Sequence, residues 1–171
     1  MAPTRGQPAG APHNAVALLY QAAGLHLRQT PPANYGVFDE ARNFVPGTTL
    51  PVVRLHSIDV AFVICEDLWQ DGGPVAAVRE AEAGLLVVIN GSPYERGKRD
   101  TRLGLCTRRA RETQATVAYV NLVGGQDELV FDGDSLIVHP DGRLLARAPQ
   151  FEDTCSSPTW NSRTRSRRHV G

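Results

Sequence analysis

Short apolar runs alternate along the chain with segments that have helical spacing. The runs 60–64, 85–89 and 117–123 are apolar at nearly every position, which is typical of strands covered on both faces of a sheet. Helical segments at 74–83 and 100–115 separate the three runs. In the second segment the inward-facing positions are spaced three to four residues apart: Leu103, Cys106, Ala110 and Thr113. This order predicts an α/β chain with a parallel sheet at its centre.

Further strands are predicted on either side of this centre. Residues 13–20 and 50–55 have strand patterns, and Pro51 favours an edge position for the second one. The segment 135–146 is predicted to form a hairpin around the turn His139-Pro140-Asp141-Gly142. The whole pattern therefore predicts a mixed sheet.

Several residues are predicted to mark the ends of the two helices. Pro74 suits a first turn and Gly84 a C-cap of the first helix. Asp100 or Thr101 is predicted to cap the N-terminus of the second helix.

Composition narrows the classes of protein to consider. The 171 residues suit one domain, and 42% of them are hydrophobic, as in a globular fold. Eighteen basic residues balance eighteen acidic ones, so charge gives no reason to expect binding to nucleic acid or to an anionic membrane. No apolar run is long enough for a bilayer span, and the N-terminus lacks a signal-peptide pattern. Three cysteines without metal-ligand spacing argue for a reducing, cytoplasmic setting and against a metal site.

Cys65 is the candidate nucleophile. It follows the buried run 60–64, and ligands of open α/β sheets bind at the carboxyl ends of strands. A cysteine on such a turn is presented outward, where backbone N–H groups can face a developing oxyanion. On local pattern alone, a core cysteine is an equally good interpretation.

A second polar cluster, 90–98, follows the next buried run. It contains Asn90, Ser92 and Lys98, which offer an amide, a hydroxyl and a cation that could hold a small zwitterion. Most strand–helix loops of this composition are only polar connections.

Five strings in order carry a more specific resemblance: 34–40 (NYGVFDE), 44–47 (FVPG), 64–69 (ICEDLW), 92–96 (SPYER) and 124–133 (GGQDELVFDG). Together they resemble the glutaminase domain of glutamine-dependent NAD synthetases, a member of the nitrilase superfamily. The last string favours this group over other amidases of the superfamily, such as aliphatic amidases or carbamoylases.

The resemblance implies an α-β-β-α sandwich and hydrolysis of L-glutamine through a Glu–Lys–Cys triad. Cys65 matches the nucleophile, and Glu40 matches a further active-site glutamate. Tyr35, Ser92 and Lys98 match positions that hold glutamine. No cofactor is expected in this domain, because ATP and Mg²⁺ belong to the synthetase domain that receives the ammonia. The resemblance also implies a homo-oligomer.

The chain departs from the family pattern at the triad. Gln29 stands where the family has its lysine, and the general-base glutamate belongs to a segment upstream of this chain, so the sandwich is expected to lack N-terminal strands. One permitted set of codons for 26–33, read one base later, gives Thr-Tyr-Ala-Lys-His-His-Leu-Pro, the family string. We therefore hypothesise that about 22–33 and the residues after about Cys155 are out of frame.

The predicted organisation is a poorly matching lead-in at 1–33, a nitrilase-like glutaminase domain at 34–155 and a disordered basic tail at 156–171. Three functions follow from these observations. They are a glutaminase that supplies ammonia for NAD synthesis, a non-catalytic relative of it, and a different amidase of the superfamily.

Overall fold

The computed structural model describes residues 12–20, 23–28, 47 and 49–155. Two helices follow strands of the central sheet: α1 (Gly73–Glu80) and α2 (Lys98–Thr113). The strands of the described residues are β1 (Ala15–Tyr20), β2 (Ala23–Arg28), β3 (Val52–Leu55), β4 (Ile58–Ile64), β5 (Leu85–Asn90), β6 (Thr116–Asn121), β7 (Val123–Gln126), β8 (Leu129–Asp132), β9 (Leu136–Val138) and β10 (Leu144–Arg147).

Six strands form the central sheet in the order β10-β9-β6-β5-β4-β3. The middle strands β4, β5 and β6 run parallel, while β3, β9 and β10 pair antiparallel with their neighbours at the two edges. This is the predicted mixed sheet, and the expectation of an α/β fold is confirmed. Parallel pairing brings the carboxyl ends of β4, β5 and β6 to one edge of the sheet, where both candidate loops begin.

The hydrophobic core lies between the two helices and one face of this sheet. Alternate residues of β4, β5 and β6 are buried there, and α1 and α2 cover them with their own apolar side chains. On the opposite face Ile89 and Val120 are exposed, 38% and 50% respectively. The apolar runs therefore predicted the strands correctly, but the two faces of the sheet differ in burial within the described residues.

Two of the predicted helix ends differ from the structure. Pro74 lies in the first turn of α1, as expected, but Ala81 rather than Gly84 is the C-cap. Gly97 precedes α2, so the expectation of an Asp100 or Thr101 cap is wrong. Gly97 has a φ of 82°, in the left-handed region of the backbone. Glycine adopts this conformation more easily than a residue with a side chain.

Two antiparallel hairpins were not predicted. Strands β1 and β2 pair from Ala15–Arg28 to Tyr20–Ala23, although the sequence of β2 shows no clear period. Strands β7 and β8 pair over the GGQDELVFDG string, for which the sequence pattern predicts no strands. The hairpin between β9 and β10 was predicted, and its turn is held by the backbone N–H of Arg143, which donates to Asp141 and lowers the pKa of that carboxyl.

The three cysteines form no disulfide, and two of them differ sharply in burial. Cys106 is fully buried in the core, whereas Cys155 is exposed. Burial raises the pKa of the Cys106 thiol to about 12.

We therefore expect Cys106 to resist alkylation by iodoacetamide in the folded protein at about pH 8, while the exposed Cys155 reacts. Cys106 should react only after unfolding in denaturant. Peptide mass spectrometry before and after unfolding checks both expectations. Labelling of Cys106 in the folded protein would contradict the core position.

Candidate active site

Cys65 lies at the carboxyl end of β4, on the turn into a short 3₁₀ segment, Cys65–Leu68. The residue is half-buried, and its backbone has a φ of +40°, which is rare for a residue with a side chain. Positive φ at a non-glycine residue costs free energy and is concentrated at functional sites. The geometry resembles a nucleophile elbow, in which a strained strand-to-helix turn presents the reactive side chain.

The two acids after Cys65 are buried and belong to this turn. The Asp67 carboxylate accepts a hydrogen bond of 2.9 Å from the backbone N–H of Ile64 and so closes the turn across Cys65. Glu66 accepts one of 2.6 Å from the side-chain amide of Gln70. Both acids are therefore held in place rather than exposed to solvent.

Ser92 lies at the end of the neighbouring strand and is 4% exposed. Its backbone N–H donates to the Asn121 side chain over 2.9 Å. Its carbonyl and hydroxyl oxygens accept hydrogen bonds of 2.9 and 3.3 Å from the Arg102 guanidinium. The loop after β5 is therefore a buried, hydrogen-bonded structure and not only a polar connection.

Tyr119, on β6, lies in the core beneath these two strand ends. Burial raises the pKa of its phenol well above the ordinary value; the Cys65 thiol raises it further, and Ser92 and Arg102 act in the opposite direction. Its hydroxyl has no hydrogen-bond partner among the described residues. The phenol is thus neutral at physiological pH.

A cleft of about 670 Å³ opens beside the 3₁₀ turn. Its walls come from that turn and from the start of α2: Glu66, Trp69, Glu95, Arg96, Gly97, Lys98 and Thr101. Lys98 is largely buried and donates to Glu95 over 2.6 Å. Two acids and two cations in one cleft can pair with the ammonium and carboxylate of a zwitterion, after Lys98 exchanges Glu95 for a ligand carboxylate.

The structure brings some of the predicted site residues together and separates others. Lys98 shares the cleft with Glu66, which directly follows Cys65. Ser92 lies deeper, under Arg102, and does not line the cleft. Tyr35 and Glu40, together with Gln29 at the lysine position, lie outside the described residues.

Two buried arginines of α2 were missed, because arginine is rarely fully buried unless it is paired. Arg102 and Arg109 have no exposed surface. They lie seven residues apart, or about two helical turns, so they face the same side. Their charge did not indicate burial. Their helical spacing relative to the buried positions Cys106, Ala110 and Thr113 is the signal that predicts it.

No group of three or more potential metal-ligating side chains occurs within the described residues. Among those same residues, no helix is both long and apolar enough to cross a membrane.

The sequence profile of the family described as "Carbon-nitrogen hydrolase" matches residues 15–168, most of the chain. The chain belongs to the carbon-nitrogen hydrolase family. Its similarity to glutamine-dependent NAD(+) synthetases is also high. It is 41% identical over 143 residues to the enzyme of Aquifex aeolicus and 48% identical over 122 residues to that of Xylella fastidiosa.

This carbon-nitrogen hydrolase covers only part of those relatives. The alignments include 82% and 70% of the chain but 25% and 22% of the two synthetases. The chain therefore spans about a quarter of their length.

Solved structures agree with the family. The glutamine-dependent NAD+ synthetase from Acinetobacter baumannii, solved with ADP, matches with a TM-score of 0.80 and 33% identity, over 83% of this chain and 27% of that one. A mutant amidase from Nesterenkonia sp. AN1, solved with butyramide, matches with a TM-score of 0.59 and 28% identity, over 75% and 48%.

Proposed function

We propose that this carbon-nitrogen hydrolase is a glutamine amidohydrolase that supplies ammonia for ATP-dependent synthesis of NAD from nicotinic acid adenine dinucleotide. The observation that carries the proposal is the strained, half-buried Cys65 at the end of a parallel strand, next to a cleft of mixed charge. The similarity to glutamine-dependent NAD(+) synthetases supports glutamine as the amide.

In the proposed reaction the Cys65 thiolate attacks the side-chain amide carbon of glutamine. The tetrahedral intermediate collapses, the C–N bond breaks, and the nitrogen leaves as ammonia after taking up a proton. Water then attacks the thioester, which releases glutamate and restores the thiol. The backbone N–H of Glu66 is the candidate oxyanion donor, since it follows the nucleophile directly.

The cleft residues fit the amino-acid end of glutamine. Lys98 is proposed to bind its carboxylate, and Glu66 or Glu95 its ammonium group. The proposed receiver of the ammonia is a synthetase domain or a separate synthetase chain. On the resemblance alone, Glu40 is proposed as a further active-site glutamate and Tyr35 as a residue that holds glutamine.

Gln29 favours a second candidate, a non-catalytic relative with a binding or assembly role. A glutamine cannot supply the positive charge that the family's lysine offers to the thiolate and the oxyanion. Loss of one oxyanion donor costs about 3 kcal/mol in other hydrolases, or roughly 100-fold in rate.

A substrate comparison tests the proposal. Ammonia release by the purified chain is measured with glutamine and with butyramide, at equal concentrations. We expect release from glutamine and little from butyramide, because only glutamine has the charged groups that the cleft can pair. A preference for butyramide would favour an aliphatic amidase. Release from neither amide would favour the non-catalytic candidate, and Gln29→Lys would then show whether the absent cation is the cause.

A further inference from the structure

Arg109 reaches from α2 to the chain segment that leaves the Cys65 turn. Its Nε donates to the carbonyl of Leu68 over 2.8 Å, and one terminal nitrogen donates to the carbonyls of Trp69 and Gln70 over 3.1 and 2.7 Å. The same nitrogen donates to Asp71 over 2.9 Å, and the other pairs with Glu112 over 2.7 Å. A fully buried guanidinium thus has hydrogen bonds to three successive backbone carbonyls.

Leu68 ends the 3₁₀ segment and Trp69 is its C-cap, so their carbonyls are among those that a helix leaves without partners at its C-terminal end. The guanidinium supplies donors to both, and to the carbonyl of Gln70 just beyond the cap. The planar fork of an arginine can serve several acceptors at fixed angles, which an ammonium on a flexible stem does less well.

The turn is consequently fixed at both ends. Asp67 ties its start to the N–H of Ile64, and Arg109 ties its exit to α2. Cys65, with its φ of +40°, lies between the two ties. A strained backbone conformation persists only where the surrounding structure holds it.

We propose that Arg109 is a positioning residue that holds the Cys65 turn in its strained conformation and thereby sets the orientation of the thiol. Arg109 does not line the cleft, so its proposed role does not include contact with glutamine. The catalytic consequence rests on the proposed glutaminase function, whereas the structural consequence does not.

Arg109→Met and Arg109→Lys are the test variants, and two other arginines provide controls. Arg108→Met removes a neighbouring exposed charge that lies 3.4 Å from Asp71 but makes none of the carbonyl contacts described above. Arg147→Met removes the largely buried ion pair between Arg147, on β10, and Asp134. This variant controls for a general loss of stability. Circular dichroism establishes that each variant is folded at the assay temperature.

The first readout is the rate at which iodoacetamide labels Cys65 at about pH 9, above the ordinary thiol pKa, so that access rather than ionisation is measured. We expect Arg109→Met to raise this rate roughly fivefold or more, because the half-buried turn opens locally. The second readout is glutamine hydrolysis, for which we expect kcat to fall about tenfold or more with KM unchanged, since misplaced reacting groups lower the rate of the chemical step. Arg109→Lys should fall between Arg109→Met and the natural protein in both readouts.

A thiol that becomes more accessible and less catalytic is the signature of lost positioning. Unchanged labelling in folded Arg109→Met would overturn the proposal, as would the same changes in Arg108→Met or Arg147→Met. If Arg109→Met does not fold, the same measurements on Arg109→Lys decide. If the natural chain releases no ammonia from glutamine, the proposed function fails, and the labelling rate still decides the role of Arg109.

Discussion

Replacing Cys65 by alanine is expected to lower ammonia release from glutamine by about 10³-fold or more, to the level of a blank without protein. Alanine has no nucleophile, so no thioester can form, and water would have to attack the amide directly. The cleft is unchanged by the substitution, because Cys65 does not line it, and binding of glutamine should persist. Ammonia release at saturating glutamine measures the first effect, and protection against heat unfolding by glutamine measures the second.

Cys155→Ala is the matched control for this experiment. Cys155 is exposed and follows the last described strand, so its loss should leave ammonia release as it is in the natural chain. Equal release from Cys65→Ala and the natural chain would end the assignment of Cys65 as nucleophile. Equal loss in both cysteine variants would show an effect that is not specific to Cys65, and it would contradict the assignment as well.

The second large effect is expected at Arg102, and it concerns stability. Arg102→Met should lower the free energy of unfolding by about 3–5 kcal/mol, because it leaves the Asp132 carboxylate buried without its cation. Arg102 and Asp132 have almost no exposed surface, and 2.7 Å separates their paired atoms. The guanidinium also donates to the carbonyls of Ser92 and Pro93, so its loss frees the loop after β5 as well. Chemical denaturation measures the change.

A double-mutant cycle identifies the cause of that loss. Asp132→Asn in the Arg102→Met background removes the unpaired charge, so the double variant should be more stable than the sum of the two single effects predicts, by about 1–3 kcal/mol. Arg54→Met is the control, since Arg54 makes two short contacts with Asp59 on the exposed edge of the sheet. Its loss should hardly change stability. If the two single effects on the free energy of unfolding simply add, the ion pair between Arg102 and Asp132 does not cause the loss of stability.

The sequence predicted the parts of the fold that depend on apolar pattern. The central strands β4, β5 and β6 are continuous apolar runs, and α2 has its apolar residues at helical spacing, so both appeared without further information. The hairpin turn at 139–142 was also predicted, because proline, aspartate and glycine are typical turn residues. The position of Cys65 at a strand end followed from the same pattern.

The parts that the sequence did not predict depend on contacts between distant residues. Burial of Arg102 is possible only because Asp132 arrives from β8, thirty positions later. Strand β7 contains two glycines, which have low strand propensity, and it is defined by its backbone pairing with β8. Lys98 was predicted in a loop that binds ligand, and the structure places it at the first residue of α2, with Glu95 as its partner.

The central claim is that a thioester forms on Cys65 during attack on glutamine. The chain is mixed with glutamine, quenched in acid within the first turnover, digested and examined by mass spectrometry. We expect a γ-glutamyl group on the peptide that contains Cys65 and none on the peptides of Cys106 and Cys155. Ammonia release without any adduct on Cys65, or with the adduct on another cysteine, would contradict it.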